Sequence, residues 1–187
     1  MYDTIQFICK CVMLAGTAAL SCQAYDALTY KRDVFVIDAV TSAGQPSIAK
    51  QEELSCRQSK ECLKMSEALY YEARGEGWDG MKAVANVIKN RVESPKFRNT
   101  VVDVVNRPWQ FSYVHEIEDR SPKDLYSYKK ALVISHRVLT GKVEDNTMGS
   151  THYLAPKKLK KLPRWAREFE RTVVINDHTF YRGDYGT

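Results

Sequence analysis

Tyr70-Tyr71-Glu72-Ala73-Arg74-Gly75-Glu76-Gly77 is the stretch on which the fold turns, because a helical run carries an acid into it and two glycines end that run. Upstream, Leu63, Met65, Ala68 and Leu69 begin a helix near Glu61 that reaches Glu72. Gly75 and Gly77 break it, as glycine does at helix ends. Downstream, Met81, Val84, Ala85, Ile88 and Val92 recur at helical spacing, an apolar stripe on a second helix that ends before Pro95. A glutamate at such a break stands at the lip of a cleft. Burial beside the tyrosines would disfavour the Glu72 anion and raise its pKa. The carboxyl would then hold a proton near neutrality and pass it to a leaving oxygen, as cutting a glycosidic bond requires.

Working outward, Thr100 to Val105 (TVVDVV) fits either a strand or a short helix. Pro108 opens a loop carrying Trp109-Gln110-Phe111-Ser112. Ser121-Pro122-Lys123-Asp124 predicts a helix start, with Ser121 as N-cap and Pro122 at the first position. That helix spans roughly 122–140 and stops at Gly141, with Leu125, Tyr128, Leu132 and Leu139 as its inward face. A polar loop with Gly149, His152 and Tyr153 follows, then the basic run from Lys157 to Lys161. Thr172-Val173-Val174-Ile175 reads as a strand, with a turn at Asn176-Asp177 before His178-Thr179-Phe180-Tyr181. The expected class is α+β, a mostly helical domain with a small β-sheet late in the chain.

With 187 residues the chain is long enough for one domain plus an appendage. Its net charge of +5 draws it to anionic polymers. No zinc-finger, helix-turn-helix or RNA-binding signature is present, so nucleic acid is not the expected partner. Cys11 to Leu20 (CVMLAGTAAL) is short, apolar and small, follows Lys10, and precedes Ser21-Cys22-Gln23-Ala24. This reads as a signal peptide over 1–24, or a weak, lipidated or retained anchor making transient membrane contact. The protein is then exported, to the periplasm or cell wall. Residues 25–60 read as a linker and 61–187 as the catalytic domain. Cys56 and Cys62 remain outside the leader and fit either a small disulfide loop or two unpaired thiols.

An ordered set of motifs resembles the SleB-type cell wall hydrolases, which include spore cortex-lytic enzymes and phage endolysins. The set comprises Tyr71 to Glu76, Gly80, Ala83 to Val92, Gln110-Phe111-Ser112, Thr147, Gly149, Thr151-His152-Tyr153, Pro163 to Ala166 and His178 to Tyr181. Ser150 and Asn176-Asp177 depart from the residues frequent there. The resemblance implies a lysozyme-like fold, peptidoglycan glycan strands as substrate, and cleavage of the MurNAc–GlcNAc bond as a lytic transglycosylase. It puts the single acid on Glu72 and implies no cofactor. A monomer is expected, acting in phage-induced host lysis or bacterial wall remodelling.

Glu76 would lie one turn from Glu72 on a continued helix, close enough to perturb it or to position substrate. Gln110 and Ser112 suit hydrogen bonds to sugar amides while Phe111 packs inward. His152 and Tyr153 suit the groove wall. Asn90 and Arg91 read as helix-end residues tying a loop, and His178 as a satisfied structural histidine. Two other functions stay open. A zinc amidase cutting the peptide stem would need converging ligands, and only His115, His136, His152 and His178 are available, with no close histidine pair. A non-catalytic wall-binding lysis accessory would use the same groove without chemistry.

Overall fold

The computed structural model describes residues 46–183, so the candidate leader and most of the candidate linker lie outside the described residues. Among the described residues, seven helices precede or flank three strands: α1 (Ile48–Arg57), α2 (Lys60–Ala73), α3 (Gly77–Glu93), α4 (Val101–Asn106), α5 (Tyr113–Glu116), α6 (Leu125–Leu139), β1 (His152–Leu154), α7 (Trp165–Glu168), β2 (Glu170–Ile175) and β3 (His178–Arg182). A 3₁₀ turn, Arg74–Glu76, joins α2 to α3. The sheet is antiparallel with order β1-β3-β2. The α+β, mostly helical class is therefore the observed one.

The core forms where α2, α3 and α6 bury Met65, Leu69, Met81, Val84, Ile88, Ala131, Ile134 and Val138. The stripe read on α3 faces this core, and Val92 packs at its edge. The opposite side of α3 places Ala83 and Val87 against Phe180 of β3, attaching the sheet. Helix α3 is thus apolar on two faces because it is the shared wall between helices and sheet.

Two expectations are corrected. Residues 48–57 are not linker but α1, capped by Ser47 and packed on α6. Its inward face hid from hydrophobic patterning because it carries glutamates. Buried Glu52 pairs with Arg137 at 2.8 Å and Lys142 at 3.1 Å, and Glu53 pairs with Lys50 and Arg57. A disulfide between Cys56 and Cys62 fastens α1 to the first turn of α2. Helix α6 starts at Leu125 with Asp124 as its cap, accepting from the Ser127 N–H at 3.1 Å. The Lys123 and Asp124 N–H groups instead donate to the Tyr70 hydroxyl, which holds the preceding loop off the helix axis. Leu125 is accordingly 65% exposed, whereas Leu132 is buried as expected with Tyr128 and Leu139 packed beside it, and Ala131, Ile134 and Val138 complete the inward face. The ambiguous TVVDVV run is helical, capped by Thr100, whose hydroxyl accepts from Asp103 N–H.

Candidate active site

The last turn of α2 carries Tyr70, Tyr71 and Glu72 onto the wall of a cleft of about 960 Å³. Ser112, Tyr113 and Glu116 close one side of it, and Tyr153, Lys158 and His178 another. Glu72 is half-buried, and the Tyr153 hydroxyl donates to its Oε2 at 3.2 Å. Burial raises the Glu72 pKa above the ordinary carboxylate value, and the Glu116 charge adds to the rise. The Tyr153 hydrogen bond, with Lys158 and Arg91, pulls the other way without overcoming burial. The carboxyl is thus biased toward its protonated form, with a donor in place to steady the anion once the proton leaves.

Helix α3 fixes that donor. Asn90 Nδ2 donates to Asp145 Oδ2 at 3.1 Å and to the Ser150 carbonyl at 3.0 Å. Arg91 Nε donates to the Thr151 carbonyl at 2.7 Å, its guanidinium lying over Phe97 and Phe111. Burial lowers the Arg91 pKa to about 10, which leaves it charged at neutrality. Together these bonds hold the 145–151 loop against α3, and so set where β1 begins and where Tyr153 points. The helix-end, loop-tying reading of Asn90 and Arg91 is what the geometry shows.

The sequence matches the family described as Cell Wall Hydrolase over residues 75–181. The chain belongs to that family. The match begins just after Glu72 and so does not itself span that residue. Among solved relatives of the family is the catalytic domain of the germination-specific lytic transglycosylase SleB from Bacillus anthracis. The two are 31% identical with a TM-score of 0.54, over 66% of this chain and 96% of that one. The Bacillus cereus SleB catalytic domain matches equally, with 91% of its chain covered. The chain is also similar to the spore cortex-lytic enzymes of Halalkalibacterium halodurans, at 34% identity over 103 residues, and of Bacillus subtilis, at 46% over 50 residues. Those alignments span 55% and 27% of this chain but only 29% and 16% of these relatives' own lengths.

Within this hydrolase domain the residues singled out from sequence separate into three places. Glu72, Ser112 and Tyr153 meet in the cleft. Gln110 does not line it, while Phe111 is buried and anchors the loop. His152 does not line it either, a correction that follows from strand geometry, since neighbours on β1 face opposite sides. Its ring sits beside Phe97, Trp165 and Phe169, and burial lowers its pKa to about 4. Glu76 is turned away from the cleft because the helix does not continue: the 3₁₀ turn and Gly77, at φ +67°, redirect it. There the Glu76 carbonyl accepts from Asn176 Nδ2 at 2.6 Å, and its carboxylate accepts from the Asp177 N–H at 3.3 Å. Glu76 therefore clamps the β2–β3 turn, and its carboxylate lies 3.9 Å from His178 Nδ1.

Sequence reasoning passed over Tyr113, Glu116 and His178 as cleft residues. Tyr113 stacks on Tyr71 with centroids 4.8 Å apart, and its buried hydroxyl has no hydrogen-bond partner among the described residues. Burial pushes that phenol well above its usual range. A signal was present for Glu116, which follows Ser112 by four residues, one helical turn. His178 is not the satisfied histidine expected: its ring faces the cleft edge-on to Tyr153, and Nδ1 has no hydrogen-bond partner among the described residues. Among the described residues no three of the His, Cys, Asp and Glu side chains converge as metal ligands.

Proposed function

We propose that this cleft cuts the MurNAc–GlcNAc bond of peptidoglycan glycan strands by lytic transglycosylation, with Glu72 as the single acid and base. The observation that carries the reading is the acid itself: a half-buried carboxyl, biased toward protonation, on the wall of a large cleft and hydrogen-bonded to a tyrosine hydroxyl. Glu72 gives its proton to the bridging oxygen as the bond to the muramyl C1 breaks. The resulting carboxylate takes the proton of the sugar's 6-hydroxyl as that oxygen attacks C1 and closes an anhydro ring. Protons balance, water is not consumed, and Glu72 ends as it began. The Tyr153 hydroxyl steadies the transient carboxylate, and the stacked Tyr71 and Tyr113 rings offer an apolar floor for a sugar face. The solved SleB catalytic domains, one of them a germination-specific lytic transglycosylase, support the reaction type.

A second reading keeps the substrate and changes the outcome. Glu116 lines the same cleft and its charge acts on Glu72, so a two-carboxylate hydrolysis would assign Glu116 to water or to the sugar. Mass spectrometry of digested peptidoglycan separates the two. Anhydromuramyl ends that disappear in Glu72→Gln and persist in Glu116→Gln support transglycosylation. Reducing ends that require both residues support hydrolysis. Freed peptides, abolished by EDTA, would support the amidase instead. Action at the wall requires export, and N-terminal sequencing of secreted protein tests whether residues 1–24 are removed.

A further inference from the structure

We infer that a second pocket beside the cleft binds the acidic peptide stem that branches from the muramyl sugar. The inference rests on the glycan-cutting reading and extends it to the substrate's side branch. The pocket has a volume of about 410 Å³ and shares Tyr70 and Tyr71 with the cleft, the two lying across one segment of chain from each other: Asp119, Ser121 and Lys123 line the cleft, and Arg120 and Pro122 line the pocket. Its floor is apolar, with Leu63, Val102 and Tyr128. Its rim carries three cations, Lys60, Lys64 and Arg120, around one carboxylate, Glu67. Lys64 approaches Glu67 at 2.9 Å and Arg120 at 3.5 Å, so the single anion is shared and the pocket keeps a positive excess.

The cleft next door is close to balanced. With Glu72 protonated, Glu116, Asp119 and Asp124 face it against Arg74, Lys123 and Lys158. An uncharged sugar strand fits the cleft, whereas a branch bearing several carboxylates meets no net attraction there and is drawn to the cationic rim. The peptide stem of peptidoglycan is such a branch, a short chain with side-chain and terminal carboxylates joined to the muramyl sugar. Its aliphatic portions match the apolar floor. The pocket therefore selects strands that still carry their peptides.

The test uses the full chain and two ligands. A free acidic stem tripeptide (alanyl-glutamyl-diaminopimelate) is titrated while NMR shifts are followed near Tyr70 and Tyr128. Saturable shifts, weakened by added salt, are expected. Lys60→Glu should weaken binding at least tenfold and Lys60→Arg should retain it. Lys60 is exposed at the first position of α2, where an acidic residue suits the helix terminus, so the charge reversal is compatible with folding. Arg120→Gln provides an independent variant on an exposed residue. In parallel, kcat/KM on peptide-bearing strands divided by that on amidase-stripped strands should exceed 10 in the wild type and fall toward 1 in Lys60→Glu. Absent shifts, or a ratio unchanged by both variants, overturns the inference. If neither kind of strand is cut, the catalytic reading fails, and the peptide titration still decides the pocket by itself.

Discussion

Replacing Tyr153 with phenylalanine removes one atom from the site and tests what that atom does. The ring contacts to His178 at 5.2 Å and Phe180 at 5.8 Å survive the change, so the strand should keep its place. What disappears is the 3.2 Å hydrogen bond to Glu72. That bond strengthens when Glu72 loses its proton to the bridging oxygen, since a hydrogen bond to a charged acceptor contributes about 1.5–3 kcal/mol. Each 1.4 kcal/mol is tenfold in rate, so kcat should fall roughly 10- to 150-fold. The pH dependence carries its own sign. The hydroxyl favours the carboxylate, so its loss raises the Glu72 pKa further, and the alkaline limb of the kcat profile should move to higher pH. Turnover of soluble glycan strands, measured from about pH 4 to 9 with a melting curve alongside, gives both quantities. A folded variant with kcat within twofold of wild type, or an alkaline limb displaced to lower pH, would refute the role given to Tyr153.

The raised pKa of Glu72 also links to stability. The folded chain holds this proton above 4.5, where the unfolded chain releases it, so the contribution of Glu72 to stability falls as pH rises toward the elevated folded value. Glu72→Gln should therefore gain in melting temperature relative to wild type between pH 4 and pH 8; a constant difference would contradict the burial argument. Reducing Cys56–Cys62, which lie six residues apart in sequence, should cost roughly 2 kcal/mol in urea unfolding from loop entropy, and no change in midpoint would count against α1 being fastened through this bond. Gly80→Ala sets a new Cβ against the Glu76 side chain and 3.1 Å from Asn176 Nδ2, so it should destabilise the domain by about 1–3 kcal/mol in chemical unfolding. A neutral result would mean that the clamp of Glu76 on the β2–β3 turn yields freely.

The helical skeleton around Glu72 was legible because its signals are local. Glycines 75 and 77 mark the break, and the apolar residues of α3 repeat at the helical period. Helix α1 was not legible, because its buried side chains include Glu52, whose partners Arg137 on α6 and Lys142 just after it are distant in sequence, and Glu53, which is neutralised within α1 by Lys50 and Arg57. The cap of α6 was misplaced for a similar reason: the Tyr70 hydroxyl, some fifty residues upstream, holds the Lys123 and Asp124 amides. The site divides along the same line. Glu72 stood out through its neighbours in sequence. The redirection of Glu76 onto Asn176 and Asp177, and the opposite facing of His152 and Tyr153, depend on how a late hairpin docks on an early helix. No short-range pattern encodes that docking.

The protonation state of one side chain bears most directly on the account. Carbon-detected NMR of glutamate-labelled protein, with the Glu72 signal assigned by its absence in Glu72→Gln, follows the carboxyl through pH. A midpoint above 4.5 that climbs further in Tyr153→Phe is the predicted result. A midpoint at or below 4.5, untouched by the loss of the tyrosine hydroxyl, would contradict it.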